Sequence, residues 1–183
     1  GGTTVICTDK TGTLTQNRIE VSHIHINANK IVIKPDALTQ TMQVLEGEST
    51  LQSRNYEIIQ LVSVLCNTAE LSSDAGEFKE VGDPLETGLL KFVKAGRKDI
   101  SSIRQQYPKV KEESFDSETK IMATCHAIDK HYLTVAKGGS DELLQRCTHV
   151  LKDGDSMPLN DVLRKQCIAE ANDMAESGLR VIA

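Results

Sequence analysis

The sequence predicts an α+β domain, an antiparallel sheet flanked by helices, on three observations. Residues 109–137 divide into three short strand-like runs joined by tight turns. Helical patterns with capping residues lie on both sides of that meander. No internal repeat or low-complexity linker divides the chain. In chain order, residues 3–8 with the apolar run Val5-Ile6-Cys7 read as a strand that breaks at Gly12 into a loop over 9–17. Residues 19–26 alternate apolar and polar (Ile19, Val21, Ile24 or Ile26), and 30–34 form another strand after Asn27-Ala28-Asn29. Residues 36–53 are polar and weakly patterned, helix or loop. Residues 55–69 are helical, with Ile58, Ile59, Leu61, Val62 and Leu65 as the apolar face. Asp74-Ala75-Gly76 marks a turn. Asp83 has the chemistry of an N-cap and Pro84 that of a first helical residue, for a helix reaching Ala95; residues 100–106 make a short helix. Strands follow at 109–115, 121–128 and 132–137, with turns at 116–120 and Asp129-Lys130. Ser140 caps a helix through Cys147, and residues 159–177 form a longer one closed by Gly178. Residues 179–183 begin a further strand.

Composition narrows the function. Hydrophobic residues make up 39% of the 183 and charged residues 26%, an ordinary soluble balance, and the net charge of −5 with no basic cluster argues against nucleic acid. No signal peptide is visible, and no apolar run approaches the ~20 residues of a membrane-spanning helix. Five scattered cysteines (Cys7, Cys66, Cys125, Cys147, Cys167) without a Cys-x-x-Cys read as reduced, mostly buried thiols. His23 and His25 alternate along a strand and lack a third partner for a metal, so a strand face is the expectation.

The string Asp9-Lys10-Thr11-Gly12-Thr13-Leu14-Thr15 is the most informative in the chain. A carboxylate at the carboxyl end of a buried strand lies where open α/β sheets place ligands. Phosphoryl transfer needs an oxygen nucleophile, a divalent metal and small residues around the transferred oxygens. Asp9 suits the nucleophile, and Lys10, Thr11, Gly12 and Thr13 the phosphoryl pocket. The string resembles the phosphorylation motif of the P-type ATPases, a family within the haloacid-dehalogenase-like phosphotransferases. That resemblance implies Mg2+ held by the Asp9 carboxylate and the Thr11 carbonyl. Related phosphatases usually place a second aspartate two residues after the nucleophile; Thr11 has no such acid–base capacity, so an aspartyl phosphate would persist.

No P-loop and no G-x-G-x-x-G occurs, so an ATP site needs another arrangement. Four segments resemble the family's nucleotide boxes. Val81-Gly82-Asp83-Pro84-Leu85-Glu86 is similar to its GDPTE box, with Leu85 for Thr, and implies Glu86 facing the adenine amino group. Phe115-Asp116-Ser117-Glu118-Thr119-Lys120 is similar to its adenine-stacking segment; Phe115 would be the aromatic platform and Lys120 a positive charge near the nucleotide. Lys137-Gly138-Gly139-Ser140-Asp141 resembles its KGAPE box, with Gly138 allowing close approach and Lys137 at the pocket mouth. Gly178-Leu179-Arg180-Val181-Ile182-Ala183 resembles its GLRVLA return, with Arg180 reaching the β-phosphate region.

The resemblance spans essentially the whole chain. It implies a phosphorylation-domain fragment at 1–17, a nucleotide-binding domain at 18–178 and a return segment at 179–183, the end pieces belonging to an α/β fold. It further implies a cytosolic portion of an integral membrane pump, partnered by the remaining phosphorylation, actuator and transmembrane domains. Such a piece is expected to bind ATP weakly and not to hydrolyse it. Calcium is the first expectation for the transported cation, with sodium/potassium, magnesium or proton transport open. Two alternatives stand beside the pump: a soluble haloacid-dehalogenase-type phosphatase and a non-catalytic nucleotide-binding module.

Overall fold

The computed structural model describes residues 19–26, 29–36, 41–74, 77–152 and 154–183. The strand and loop expected over 3–17, with Asp9, Lys10, Thr11, Gly12 and Thr13, lie outside the described residues, as do Ala75 and Gly76 of the expected turn.

The architecture is α+β, as the sequence predicts, but with more than one sheet. Strands β1 (His23–Ile26), β2 (Asn29–Asp36) and β3 (Thr41–Glu46) form an antiparallel sheet in sequence order. Helix α1 (Arg54–Leu65) follows a short 3-10 turn at Glu48–Gln52. An antiparallel hairpin of β4 (Glu70–Asp74) and β5 (Glu77–Val81) then leads to α2 (Pro84–Ala95) and α3 (Ile100–Gln106). A second three-stranded antiparallel sheet comprises β6 (Lys109–Asp116), β7 (Ile121–Ile128) and β8 (His131–Gly138). Helix α4 (Ser140–Arg146), the hairpin of β9 (His149–Lys152) and β10 (Asp155–Pro158), and α5 (Asp161–Glu176) complete the described chain.

Several boundaries follow from local chemistry. The Ser53 hydroxyl accepts from the Tyr56 N–H to start α1. Asp83 accepts from the Leu85 N–H with Pro84 next in line, and Asp99 accepts from Ser101 and Ser102 to start α3. Gly178 adopts φ 83°, the left-handed backbone that ends α5.

Other expectations need correction. Residues 36–53 hold β3 as well as the 3-10 turn, because the alternating Met42 and Val44 pack on the first core. Helix α1 stops at Leu65 rather than Ala69, since the Asn67 side chain turns back to the Ser63 carbonyl and caps the Ala69 N–H. Ser140 is the first residue of α4 rather than its cap; Gly139 stands at the cap position. The 147–158 stretch contains a hairpin that the sequence pattern did not reveal. Residues 179–183 form no strand, although Ala183 exchanges two backbone hydrogen bonds with Gly138 (2.9 and 3.0 Å).

Two cores explain the layering. Ile24, Ile26, Ile31 and Ile33 of the first sheet pack with Tyr56 and Val64 of α1 and Leu90, Phe92 and Val93 of α2. Leu65 and Cys66, at the end of α1, pack with Met122 and Val135 of the second sheet, joined by Leu61, Val62, Tyr107 and Leu133. Helix α1 is therefore buried on two sides. That is why Gln60 and Ser63 are inside, the Ser63 hydroxyl donating to the Ile59 carbonyl, while Ile58 of the expected apolar face lies at the surface. The cysteines behave in part as expected: Cys66 is fully buried, and Cys125, Cys147 and Cys167 are half-buried free thiols. His25 sits 3.7 Å from Glu170 of α5. Among the described residues no cluster of His, Cys, Asp or Glu could hold a metal, and no helix is long and apolar enough to cross a membrane.

Truncating Leu90, which is completely buried, should create a cavity in the first core. Leu90→Ala is expected to lower unfolding stability by about 2–5 kcal/mol in a denaturant titration. The Tyr56 hydroxyl is buried without a hydrogen-bond partner among the described residues, so Tyr56→Phe should be neutral or slightly stabilising in the same assay.

Candidate functional site

The sheet register gathers segments that are far apart in sequence. Asp116 pairs with Ile121 across β6 and β7, and Ile121 pairs with Gly138 across β7 and β8. Phe115, Lys120 and the Lys137-Gly138 pair therefore share one end of the second sheet. Glu86 joins them through a side-chain bond to Lys137. The pairing of Ala183 with Gly138 brings the segment carrying Arg180 to the same end.

At the centre is a buried ion pair. The Lys137 ammonium is 2.5 Å from Glu86 Oε1 and donates to the Cys66 carbonyl at 2.6 Å, with the two side chains only 11% and 8% exposed. Glu86 Oε2 accepts from the Thr68 hydroxyl (2.6 Å) and the Thr68 N–H (3.0 Å). A carboxylate has about four acceptor positions, so three donors leave about one for another group. The Asn67 amide adds a bond to the Glu86 carbonyl at 3.0 Å. Burial pushes the Glu86 carboxyl up, but the Lys137 and Thr68 hydrogen bonds and the Lys137 charge outweigh it and hold the group below the ordinary glutamate value. Lys137 thus points inward, held by two acceptors, rather than standing free at a pocket mouth.

The neighbours are arranged differently. Phe115 is 60% exposed, beside a register shift between Glu113 and Asp116, and so is not a core residue. The Asp116 carboxylate accepts from the Glu118 and Thr119 N–H groups and closes the β6–β7 turn. Lys120 ends that turn at φ 53°, with its ammonium 2.7 Å from Glu142 Oε1. Gly138 is buried against the turn; a Cβ there would overlap the Lys120 carbonyl oxygen and press on the Ile121 backbone. Arg180 is exposed, on the irregular segment after α5.

Sequence reasoning missed the Cys66-Asn67-Thr68 segment, which links the end of α1 to both members of the ion pair. Its one sequence signal is an Asn-Thr pair near the end of a helical run, residues that bond backbone groups and stop helices. The carbonyl contribution of Cys66 has no side-chain signature.

This arrangement brings an exposed aromatic ring, a buried carboxylate with about one acceptor position left, the cationic Lys120 and the segment carrying Arg180 to one sheet end. A family model described as P-type ATPase, cytoplasmic domain N, matches residues 55–183. Over its full 183 residues the chain is 32% identical to a calcium-transporting ATPase of Listeria monocytogenes, of which it spans 19%. It is 34% identical over 168 residues to a sodium/potassium-transporting ATPase subunit alpha of Hydra vulgaris, covering 88% of this chain and 16% of that protein. Against a potassium-transporting ATPase alpha chain 2 of Rattus norvegicus it is 35% identical over 169 residues, covering 87% and 16%. The chain spans less than a fifth of the length of these relatives.

The folded Glu86 binds its proton more weakly than the unfolded one. Its contribution is therefore present above the ordinary glutamate range and lost as pH falls through the lowered folded value. Glu86→Gln should cost about 3–5 kcal/mol at neutral pH by leaving the Lys137 ammonium without its counter-charge. In denaturant titrations across acid pH, the gap from the wild-type protein should narrow as the pH drops.

Proposed function

The chain belongs to the P-type ATPases, whose cytoplasmic domain N it matches, and on that premise we propose that residues 18–178 bind ATP for a cation-transporting pump. The observation that carries this reading is the convergence of Glu86, Phe115, Lys120, Lys137, Gly138 and the Arg180 segment at one end of the second sheet. The exposed Phe115 ring would stack on adenine. The remaining acceptor position of Glu86 would take the exocyclic amino group, with Lys137 fixing that carboxylate in place. Gly138, packed on the Lys120 carbonyl, would hold the β6–β7 turn in place, and Lys120 and Arg180 would meet phosphate oxygens.

In the complete pump, Asp9 would accept the terminal phosphoryl group and become an aspartyl phosphate. The Asp9 carboxylate and Thr11 carbonyl are hard oxygen donors of the kind that holds Mg2+ beside a phosphate. Residues 1–17 and 179–183 would belong to the phosphorylation domain, which must close on the nucleotide-binding domain for transfer. The rest of that domain, the actuator domain and membrane helices would be supplied by the same polypeptide, making this a cytosolic portion of a membrane protein. Calcium is the proposed cargo, as in the calcium-transporting relative; potassium-transporting relatives match the chain over the same full length and at the same identity.

Because Phe115 is exposed, its removal tests binding without disturbing the core. Phe115→Ala should weaken ATP affinity about tenfold or more, the loss of one base–aromatic stack, in a calorimetric titration, and leave unfolding stability within about 0.5 kcal/mol of wild type. Unchanged affinity for ATP in this variant would overturn the stacking role.

A further inference from the structure

Lys120 is already engaged. Its backbone is held by the Asp116 carbonyl, which accepts its N–H at 2.7 Å, and by the Gly139 N–H, which donates to its carbonyl at 3.0 Å. Its side chain then reaches across the Gly138-Gly139 turn to Glu142 Oε1 at 2.7 Å. Glu142 sits on the first turn of α4, and its other carboxylate oxygen lies so close over Gly139 that a Cβ at that position would overlap it. The carboxylate is thus packed on the turn that follows Lys137, at the edge of the proposed nucleotide site. Hydrogen bonding to Lys120 is the leading cause that holds its carboxyl below the ordinary glutamate value, so the group is ionised at neutral pH.

We infer that Glu142 competes with the nucleotide's phosphates for Lys120, and so sets how strongly the site favours phosphorylated ligands over the bare nucleoside. This rests on the nucleotide-binding reading above. An ammonium has three donors and could bond a carboxylate and a phosphate together. Two anionic oxygens on one ammonium, however, lie within a few ångströms and repel at low screening. Whether Glu142 swings away or stays, its charge opposes the phosphate and not the adenosine. Among the described residues Arg180 has no carboxylate partner, leaving Lys120 as the contact that Glu142 regulates.

The test uses the 183-residue chain, with ATP and adenosine as probes, titrated calorimetrically at low ionic strength. Exposed ion pairs are weak, so Glu142→Gln should tighten ATP about two- to five-fold and leave adenosine unchanged. Asp141→Asn removes a neighbouring charge that is not hydrogen-bonded to Lys120, and should give a smaller gain. In a Lys120→Met background the Glu142→Gln gain should vanish; this separates competition for the ammonium from a general change in surface charge. An unchanged ATP-to-adenosine ratio in Glu142→Gln, or a gain that survives in Lys120→Met, overturns the competition while leaving the nucleotide site standing. Absence of binding of both ATP and adenosine to the wild-type chain overturns the nucleotide reading and this inference with it.

Discussion

The buried pair of Glu86 and Lys137 is the constraint on which the rest of this domain depends. It joins the first turn of α2 to the end of strand β8, and both partners also hold the segment that leaves α1. Burying two opposite charges is costly, and their attraction offsets that cost only when the remaining donors and acceptors are satisfied. Here Lys137 has the Cys66 carbonyl as a second acceptor, and Glu86 takes two bonds from Thr68. Under the proposed nucleotide reading, stability and binding would share these atoms.

Around this latch the fold is a layered one. Helices α1 and α2 pack on the first sheet, and the end of α1 packs on the second, so α1 is enclosed on two sides. The second sheet supplies position rather than bulk. Antiparallel pairing in fixed register aligns Asp116, Ile121 and Gly138, and a one-residue slip would send every side chain to the opposite face. The close approach of Gly138 to Lys120 locks the β6–β7 turn against the end of β8. Phe115 sits at a register shift on the outer strand and stays in the open.

The electrostatic pattern divides the cations by environment. Lys137 is committed inside the protein, whereas Lys120 is held by a carboxylate near the surface and Arg180 stands exposed on an irregular segment. Solvent screens the surface pair and hardly reaches the buried one. The first can therefore exchange partners with an incoming anion; the second holds its geometry.

Much of this was legible in the residues. Asp83-Pro84 and Asp99 mark helix starts because their carboxylates cap free N–H groups, and strands 121–128 and 100–106's helix fall where pattern and turns put them. The family resemblance was carried by the Asp9–Thr15 string, and the boxes around Glu86, Phe115, Lys137 and Arg180 were legible once read against it. What opposed each side chain was not legible. A weak alternation hid β3, short strands hid the β9–β10 hairpin, and a single apolar stripe misdescribed a helix covered on two faces. Nor could the sequence say that Phe115 is exposed, that Lys137 turns inward to Glu86, or that the Cys66 carbonyl and Thr68 complete the pair. Caps, turns and periodicity are local, and act among residues a few positions apart. Burial and ion pairing are decided by elements that meet only when the chain has folded, across 51 positions for Lys137 and Glu86 and 71 for Lys137 and Cys66.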